Sequence, residues 1–262
     1  MSTTEKADKI NTIKAINMAL FDAMESNDKV FLLGEDIGDE EEGGVVGITS
    51  GLSTRFGEAR VRTTPISEQA IIGAAIGAAI VGMKPVAEIM LMNFTAVAMD
   101  MIVNHAAKLR FMSGGQTNVP ITIRTMTGSG FGNGGQHADY LEAWFAHVAG
   151  IKVVAPSSPA EAYGLLLSCI EDEDPCIFIE NMPTYYVLGE QPERGKKIPL
   201  GKANIAREGT DVSIITYSRQ VADALVVAEK LLSEGISVEV VDLRTISPLD
   251  TDTIIQSVAK TT

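Results

Sequence analysis

One stretch carries the strongest chemical signal in the chain: Thr63-Thr64-Pro65-Ile66-Ser67-Glu68-Gln69, followed by small apolar residues from Ala70 to Gly82. Pro65 fixes its own φ and biases Thr64 toward extended backbone, so a strand from Arg60 should stop at Thr64. Ser67 can then cap a helix. That places Glu68 in the first helical turn, where the positive end of the helix dipole favours a carboxylate. Such a Glu can hold or deliver a proton, although a helix-start acid is also a common structural device. The second candidate is His137, which closes the loop Gly128-Ser129-Gly130-Phe131-Gly132-Asn133-Gly134-Gly135-Gln136. A histidine at the end of a glycine-rich loop is suited to proton transfer. Gly130, Gly132 and Gly135 match the spacing of a dinucleotide fingerprint, but no long apolar helix opens there and the loop does not follow the first strand. The loop reads instead as a mobile one that admits a substrate and then orders around it. His105 and His147 read as packing or interface residues.

The elements that must position these residues alternate along the chain. Ile10 to Ser26 has helical spacing, Val30 to Leu33 is strand-like, and Leu52 to Phe56 can form a short helix. Pro85 to Met90 and Pro120 to Arg124 read as strands, with a helix over Phe94 to Phe111 between them. Ile151 to Ala155 and Cys176 to Glu180 are further strands, separated by a helix from Pro159 to Ile170 with Pro in its first turn. Alternation of this kind implies an α/β fold, a mostly parallel sheet with helices on both faces. From Asn181 to Glu208 the pattern dissolves into Pro, Gly and charge, which reads as a linker. Strands at Val212 to Tyr217 and Val238 to Val241, with helices at Arg219 to Ser233 and Thr251 to Ala259, then start a second α/β unit that is only partial by Thr262. The expected organisation is a domain over 1–185, a linker over 186–208 and a partial domain over 209–262.

The composition limits the function classes. The chain has 262 residues, 45% of them hydrophobic, and a formal net charge of -13. An acidic surface repels phosphate backbones and anionic membranes, so nucleic acid and membrane partners are not expected. Met1 to Asn11 shows no signal-peptide pattern, and the longest apolar run, Ala70 to Met83, is too short to span a bilayer. Cys169 and Cys176 lack the spacing of a disulfide framework or zinc site and read as small buried hydrophobes in a reducing, cytoplasmic setting. Glu40 to Glu42 read as a solvated loop, not a calcium site. Three glycines, Gly73, Gly77 and Gly82, cost about 1 kcal/mol each in a helix, which implies close packing, either inside the domain or against another subunit.

Read in order, Leu33-Gly34-Glu35-Asp36, Thr64-Pro65-Ile66-Ser67-Glu68, Glu88 to Phe94, Ala106 to Gly115 and Gln136-His137 resemble a known family. The chain resembles the β subunit of the thiamine-diphosphate-dependent E1 component of 2-oxo acid dehydrogenase complexes, nearest the bacterial acetoin or pyruvate type. The resemblance implies a transketolase-like pyrimidine-binding domain followed by part of a transketolase-type C-terminal domain. It also implies that Glu68 activates the cofactor through the pyrimidine ring nitrogen, with Ile66, Met90 and Phe94 holding the ring. Glu35 matches an acid linked to proton passage between paired sites, and His137 one facing the substrate and its acyl acceptor. Ala138-Asp139 departs from the Ser-Gln or Ser-Asp usual after that histidine.

The Gly-Asp-Gly and downstream Asn that hold magnesium diphosphate are missing from this chain. The resemblance assigns that half, with the Mg2+, to an E1 α subunit in an α2β2 heterotetramer. No metal site is expected in this chain, although Asp172, Asp174 and the Ile121 strand lie where some relatives bind a monovalent cation. The implied reaction is decarboxylation of a 2-oxo acid, or cleavage of acetoin, with acyl transfer to a lipoyl-bearing E2 partner. Two rival readings are a transketolase-like ketol transfer and a non-catalytic interaction module. Co-elution with an α-like chain and cofactor-dependent turnover would separate them.

Overall fold

The computed structural model describes residues 9–128, 130 and 132–261; Ser129 and Phe131 of the glycine-rich loop, Met1 to Asp8 and Thr262 lie outside the described residues. In chain order the first part comprises β1 (Lys9–Asn11), α1 (Thr12–Ser26), β2 (Val30–Glu35), α2 (Leu52–Phe56), β3 (Val61–Thr64), α3 (Glu68–Ile80) and β4 (Lys84–Leu91). It continues with α4 (Ala107–Met112), β5 (Thr122–Thr127), α5 (Glu142–Ala146), β6 (Lys152–Val154), α6 (Pro159–Glu171) and β7 (Cys176–Asn181). The rest comprises β8 (Leu188–Glu190), β9 (Asn204–Arg207), β10 (Val212–Thr216), α7 (Arg219–Leu232), β11 (Val238–Asp242), β12 (Thr245–Ser247) and α8 (Thr251–Lys260).

Seven strands form the main sheet in the order β12-β6-β7-β5-β4-β2-β3, and every neighbouring pair is parallel except β12 with β6. All six residues of β5 and of β7 are buried, as expected for central strands covered on both faces. On one face α1 and α6 pack Ile16, Leu20, Met24, Leu165 and Leu166 against the sheet. On the other, α3 contributes Ile71, Ile72, Ala75, Ile76 and Ala79 beside Ile102 and Phe145. Local signals start the covering helices: Asn11 Oδ1 accepts from the Lys14 N–H at 2.9 Å, and Ser158 Oγ accepts from the Glu161 N–H ahead of Pro159.

The structure departs from the sequence reading at one helix and adds strands that the reading did not include. The helix expected over Phe94 to Phe111 is instead a tight 3-10 turn at Met92–Ala96, a π-helical turn at Met101–Ala106 and then α4. Phe94 therefore sits on the turn that directly follows β4. The stretch expected as a linker carries β8, antiparallel to β1, and β9, antiparallel to β11 in a three-stranded sheet with β10. A further added strand is β12, which leaves the second unit and joins the main sheet beside β6.

The junction between the units contains a buried carboxylate. Asp242, at the end of β11, accepts from Ser157 Oγ and from the Arg244 N–H, while Arg244 pairs with Glu161 at 2.5 Å. Burial pushes the Asp242 carboxyl up to about 6, with those two hydrogen bonds opposing the rise. The folded chain therefore holds a proton that the unfolded chain releases near pH 4. Its contribution to stability is full below that pH and is lost as pH rises through 6, a swing of roughly 3 kcal/mol. Asp242→Asn should flatten this dependence. Thermal unfolding between pH 4 and pH 7.5 checks it, and a wild-type minus variant difference that does not change with pH would refute it.

Candidate active site

Because the strands of the main sheet run parallel, the segments that follow them gather along one edge, the usual binding position in such sheets. Glu35 ends β2 level with Thr64 at the end of β3, and Thr127 ends β5 level with Asn181 at the end of β7. Glu68, Phe94 and His137 lie on the segments just beyond β3, β4 and β5.

Ser67 occupies the cap position of α3 but does not cap through its side chain, contrary to the sequence expectation. Its hydroxyl donates to the Pro65 carbonyl at 3.1 Å, and its backbone N–H donates to the Glu35 carboxylate. Glu68 follows at the helix start, 9% exposed, with no hydrogen-bond partner among the described residues. Burial raises the Glu35 carboxyl above its ordinary range, and the nearby charges of Glu68 and Asp36 raise it further, while the Ser67 N–H opposes this. Glu35 and Glu68 thus form one acidic cluster.

The apolar residues expected to hold a ring differ in exposure. Ile66 is 82% exposed, an unusual state for an isoleucine, whereas Met90 and Phe94 are half-buried. His137 meets Phe94 edge-on, with ring centroids 5.5 Å apart and planes at 82°. Gly128 makes this approach possible, since a Cβ there would lie 2.3 Å from the His137 carbonyl oxygen. Gly130, Gly132 and Gly134 all take positive φ, so the loop needs glycine at those positions. His105 and His147 are exposed instead of packed, and His105 faces Asp100 at 3.5 Å.

Beneath the site lies a buried network that pattern reading alone did not reveal. Arg124, 1% exposed in the middle of β5, grips Glu180 with two nitrogens at 2.7 and 3.0 Å and reaches Glu88 with a third at 2.7 Å. The Tyr185 hydroxyl donates to the same Glu180 at 2.6 Å. Burial raises the Glu180 carboxyl above its ordinary range, and the Arg124 charge and the Tyr185 hydroxyl work against that rise. Burial opposes the Arg124 charge, but Glu180 and Glu88 outweigh it and hold the guanidinium charged; burial likewise raises the Tyr185 hydroxyl well above its ordinary range. A 20 Å³ cavity lined by Gly43, Gly44, Glu88, Met90, Arg124 and Glu180 is large enough for one water molecule. The sequence signal for this network was an Arg and a Glu inside otherwise apolar strands.

Asp172 and Asp174 are occupied by the chain's own cations: Lys152 contacts them at 2.6 and 3.5 Å, and Arg110 reaches Asp174 at 2.5 Å. Among the described residues no group of three or more His, Cys, Asp or Glu could hold a metal ion. Cys169 and Cys176 are free and buried, as their sequence setting implied.

Residues 8–186 match the family described as transketolase, pyrimidine binding domain, and residues 201–262 match transketolase, C-terminal domain. The chain is 47% identical to the acetoin:2,6-dichlorophenolindophenol oxidoreductase subunit beta of Cupriavidus necator, over 97% of this chain and 78% of that protein. It is 46% identical to the pyruvate dehydrogenase E1 component subunit beta of Bacillus subtilis, over 97% and 78%. The chain belongs to the E1 β-subunit family. The 2-oxoisovalerate dehydrogenase subunit beta of the same Bacillus is 44% identical over 95% of this chain and 76% of that protein, so E1 β relatives named for different substrates are about equally similar to it. Among solved structures, a split gene transketolase described as an inactive beta4 tetramer superposes with a TM-score of 0.81 at 24% identity, covering 97% of this chain and 78% of that one. At that identity the likeness speaks for the fold, and the E1 β chain has the α/β architecture expected from its alternating elements, of the transketolase-like kind that the resemblance implied.

Proposed function

We propose that this chain is the pyrimidine-binding half of a thiamine-diphosphate-dependent E1 that decarboxylates a 2-oxo acid or cleaves acetoin and passes the acyl group to a lipoyl carrier. The observation that carries the reading is Glu68: an acid 9% exposed at the start of α3, with no hydrogen-bond partner among the described residues, with the exposed Ile66 two residues ahead of it and the half-buried Met90 and Phe94 at and just beyond the end of β4. A flat aminopyrimidine fits that set, with a ring nitrogen for the carboxylate and two faces for Ile66, Met90 and Phe94.

Thiamine diphosphate, when bound, would supply an acidic ring carbon as the nucleophile for the substrate carbonyl. Glu68 acts by hydrogen-bonding the pyrimidine nitrogen and holding a proton there, which favours the tautomer whose amine can act as the base. Glu35, with its raised proton affinity, supplies and receives protons for the cluster. His137, held on Phe94, faces the substrate and the incoming acyl acceptor.

The diphosphate and its Mg2+ fall to an α-type partner in this reading. The acidic chain supports that division. So does the outer face of α3, where Ala70, Ala74 and Gly77 are exposed and a Cβ on Gly77 would meet nothing within 4 Å, leaving room for another backbone to approach in an α2β2 assembly. We place the complex in the cytoplasm, where both free cysteines stay reduced. The test is turnover by the chain co-expressed with its α-type subunit on a panel of pyruvate, branched 2-oxo acids and acetoin, read by reduction of an artificial electron acceptor. One substrate class should give cofactor-dependent turnover, and failure of a co-eluting pair with all of them would overturn the reading.

A further inference from the structure

We infer that Asn93 and Asp139 are positioning residues that latch the glycine-rich loop to the site, so that His137 is seated on Phe94 before substrate arrives. The inference rests on the reading of Phe94 and His137 as site residues. Asn93 precedes Phe94 on the 3-10 turn, and Asp139 stands two residues beyond His137. The two are joined twice: Asn93 Nδ2 donates to Asp139 Oδ2 at 2.6 Å, and the Asp139 backbone N–H donates to Asn93 Oδ1 at 3.3 Å. A carboxylate can only accept and a backbone N–H can only donate, so one orientation of the amide satisfies both. Two further bonds hold the same segment, from Thr127 Oγ1 to the Asp139 carbonyl at 3.0 Å and from the Leu141 N–H to Met92 Sδ at 3.0 Å. The loop between Gly128 and His137 is thus tied at its far end to the turn that presents Phe94.

The two side chains are chemically reversible across the latch, and this gives the test. Asn93→Asp places two carboxylates face to face and should break the side-chain bond. Asn93→Asp combined with Asp139→Asn reverses donor and acceptor while keeping the acceptor for the backbone N–H. In the assembled α/β enzyme, Asn93→Asp should lower kcat roughly tenfold, the range of coupling between charged hydrogen-bonded partners, with cofactor affinity little changed. The double variant should recover most of that loss. Hydrogen exchange of residues 130–139 supplies a readout independent of turnover: it should speed up in Asn93→Asp and return toward wild type in the double variant. Exchange and kcat that stay at wild-type values in Asn93→Asp, or a double variant no better than the single, would overturn the latch. A failure of Glu68→Gln to affect turnover would instead overturn the functional reading, leaving the exchange result to decide the latch by itself.

Discussion

Glu68→Gln, in the chain assembled with its α-type subunit, should lose about 10²–10⁴-fold in kcat, the usual range for removing a positioned acid or base. The amide keeps the shape and most of the packing of the carboxylate, so assembly and unfolding temperature should be close to wild type. Its N–H can still donate a hydrogen bond to a ring nitrogen, but it cannot pass a proton to that nitrogen, which is the role assigned to Glu68. The surroundings make the expected loss specific. Glu68 sits buried at the start of α3 with Glu35 close enough to be raised by its charge, and among the described residues no hydrogen-bond partner neutralises it. A capping or purely structural acid would show the opposite pattern, a drop in stability with turnover retained. Steady-state kinetics, size-exclusion elution and thermal melts on the same preparation separate the two outcomes.

The second large effect concerns folding. Arg124→Met should destabilise the chain by about 3–5 kcal/mol, because it leaves the buried Glu180, and the partly exposed Glu88 beside it, without their counter-charge. At this size each kcal/mol shifts the melting temperature by about 2–4 °C, so a fall on the order of 10 °C is expected. The Tyr185 hydroxyl, bonded to Glu180 at 2.6 Å, cannot compensate a whole charge. Pairing Arg124→Met with Glu180→Leu and Glu88→Gln removes the orphaned charges and should restore most of the loss, since well-packed apolar replacements of buried ion pairs are often neutral. If Arg124→Met alone melts like wild type, the network contributes little and the floor of the site is held by apolar packing instead.

Much of this arrangement was legible in the residues. Pro65 after a β-branched stretch marks the end of β3, and the edge where Glu35, Glu68, Phe94 and His137 assemble follows from strands that alternate with helices. Short elements were harder to read. Phe94 was expected to open a helix because Phe94 to Phe111 is apolar at helical spacing, but the chain spends that stretch on a 3-10 turn and a π-helical turn before α4. Three-residue strands such as β1, β8 and β12 leave almost no periodic signal, and only their partners define them. The Glu88, Arg124 and Glu180 network joins residues 36 and 56 positions apart, which no local pattern encodes. Asn93 and Asp139, 46 positions apart, escaped notice for the same reason.

The central claim is that Glu68 anchors half of an active site that another chain completes. It is tested most directly by substrate-dependent reduction of an artificial acceptor with this chain, its α-type subunit, thiamine diphosphate and Mg2+, leaving out one component at a time. Turnover should require all four and disappear with Glu68→Gln. Turnover by this chain without the α-type subunit, or undiminished turnover in Glu68→Gln, would contradict it.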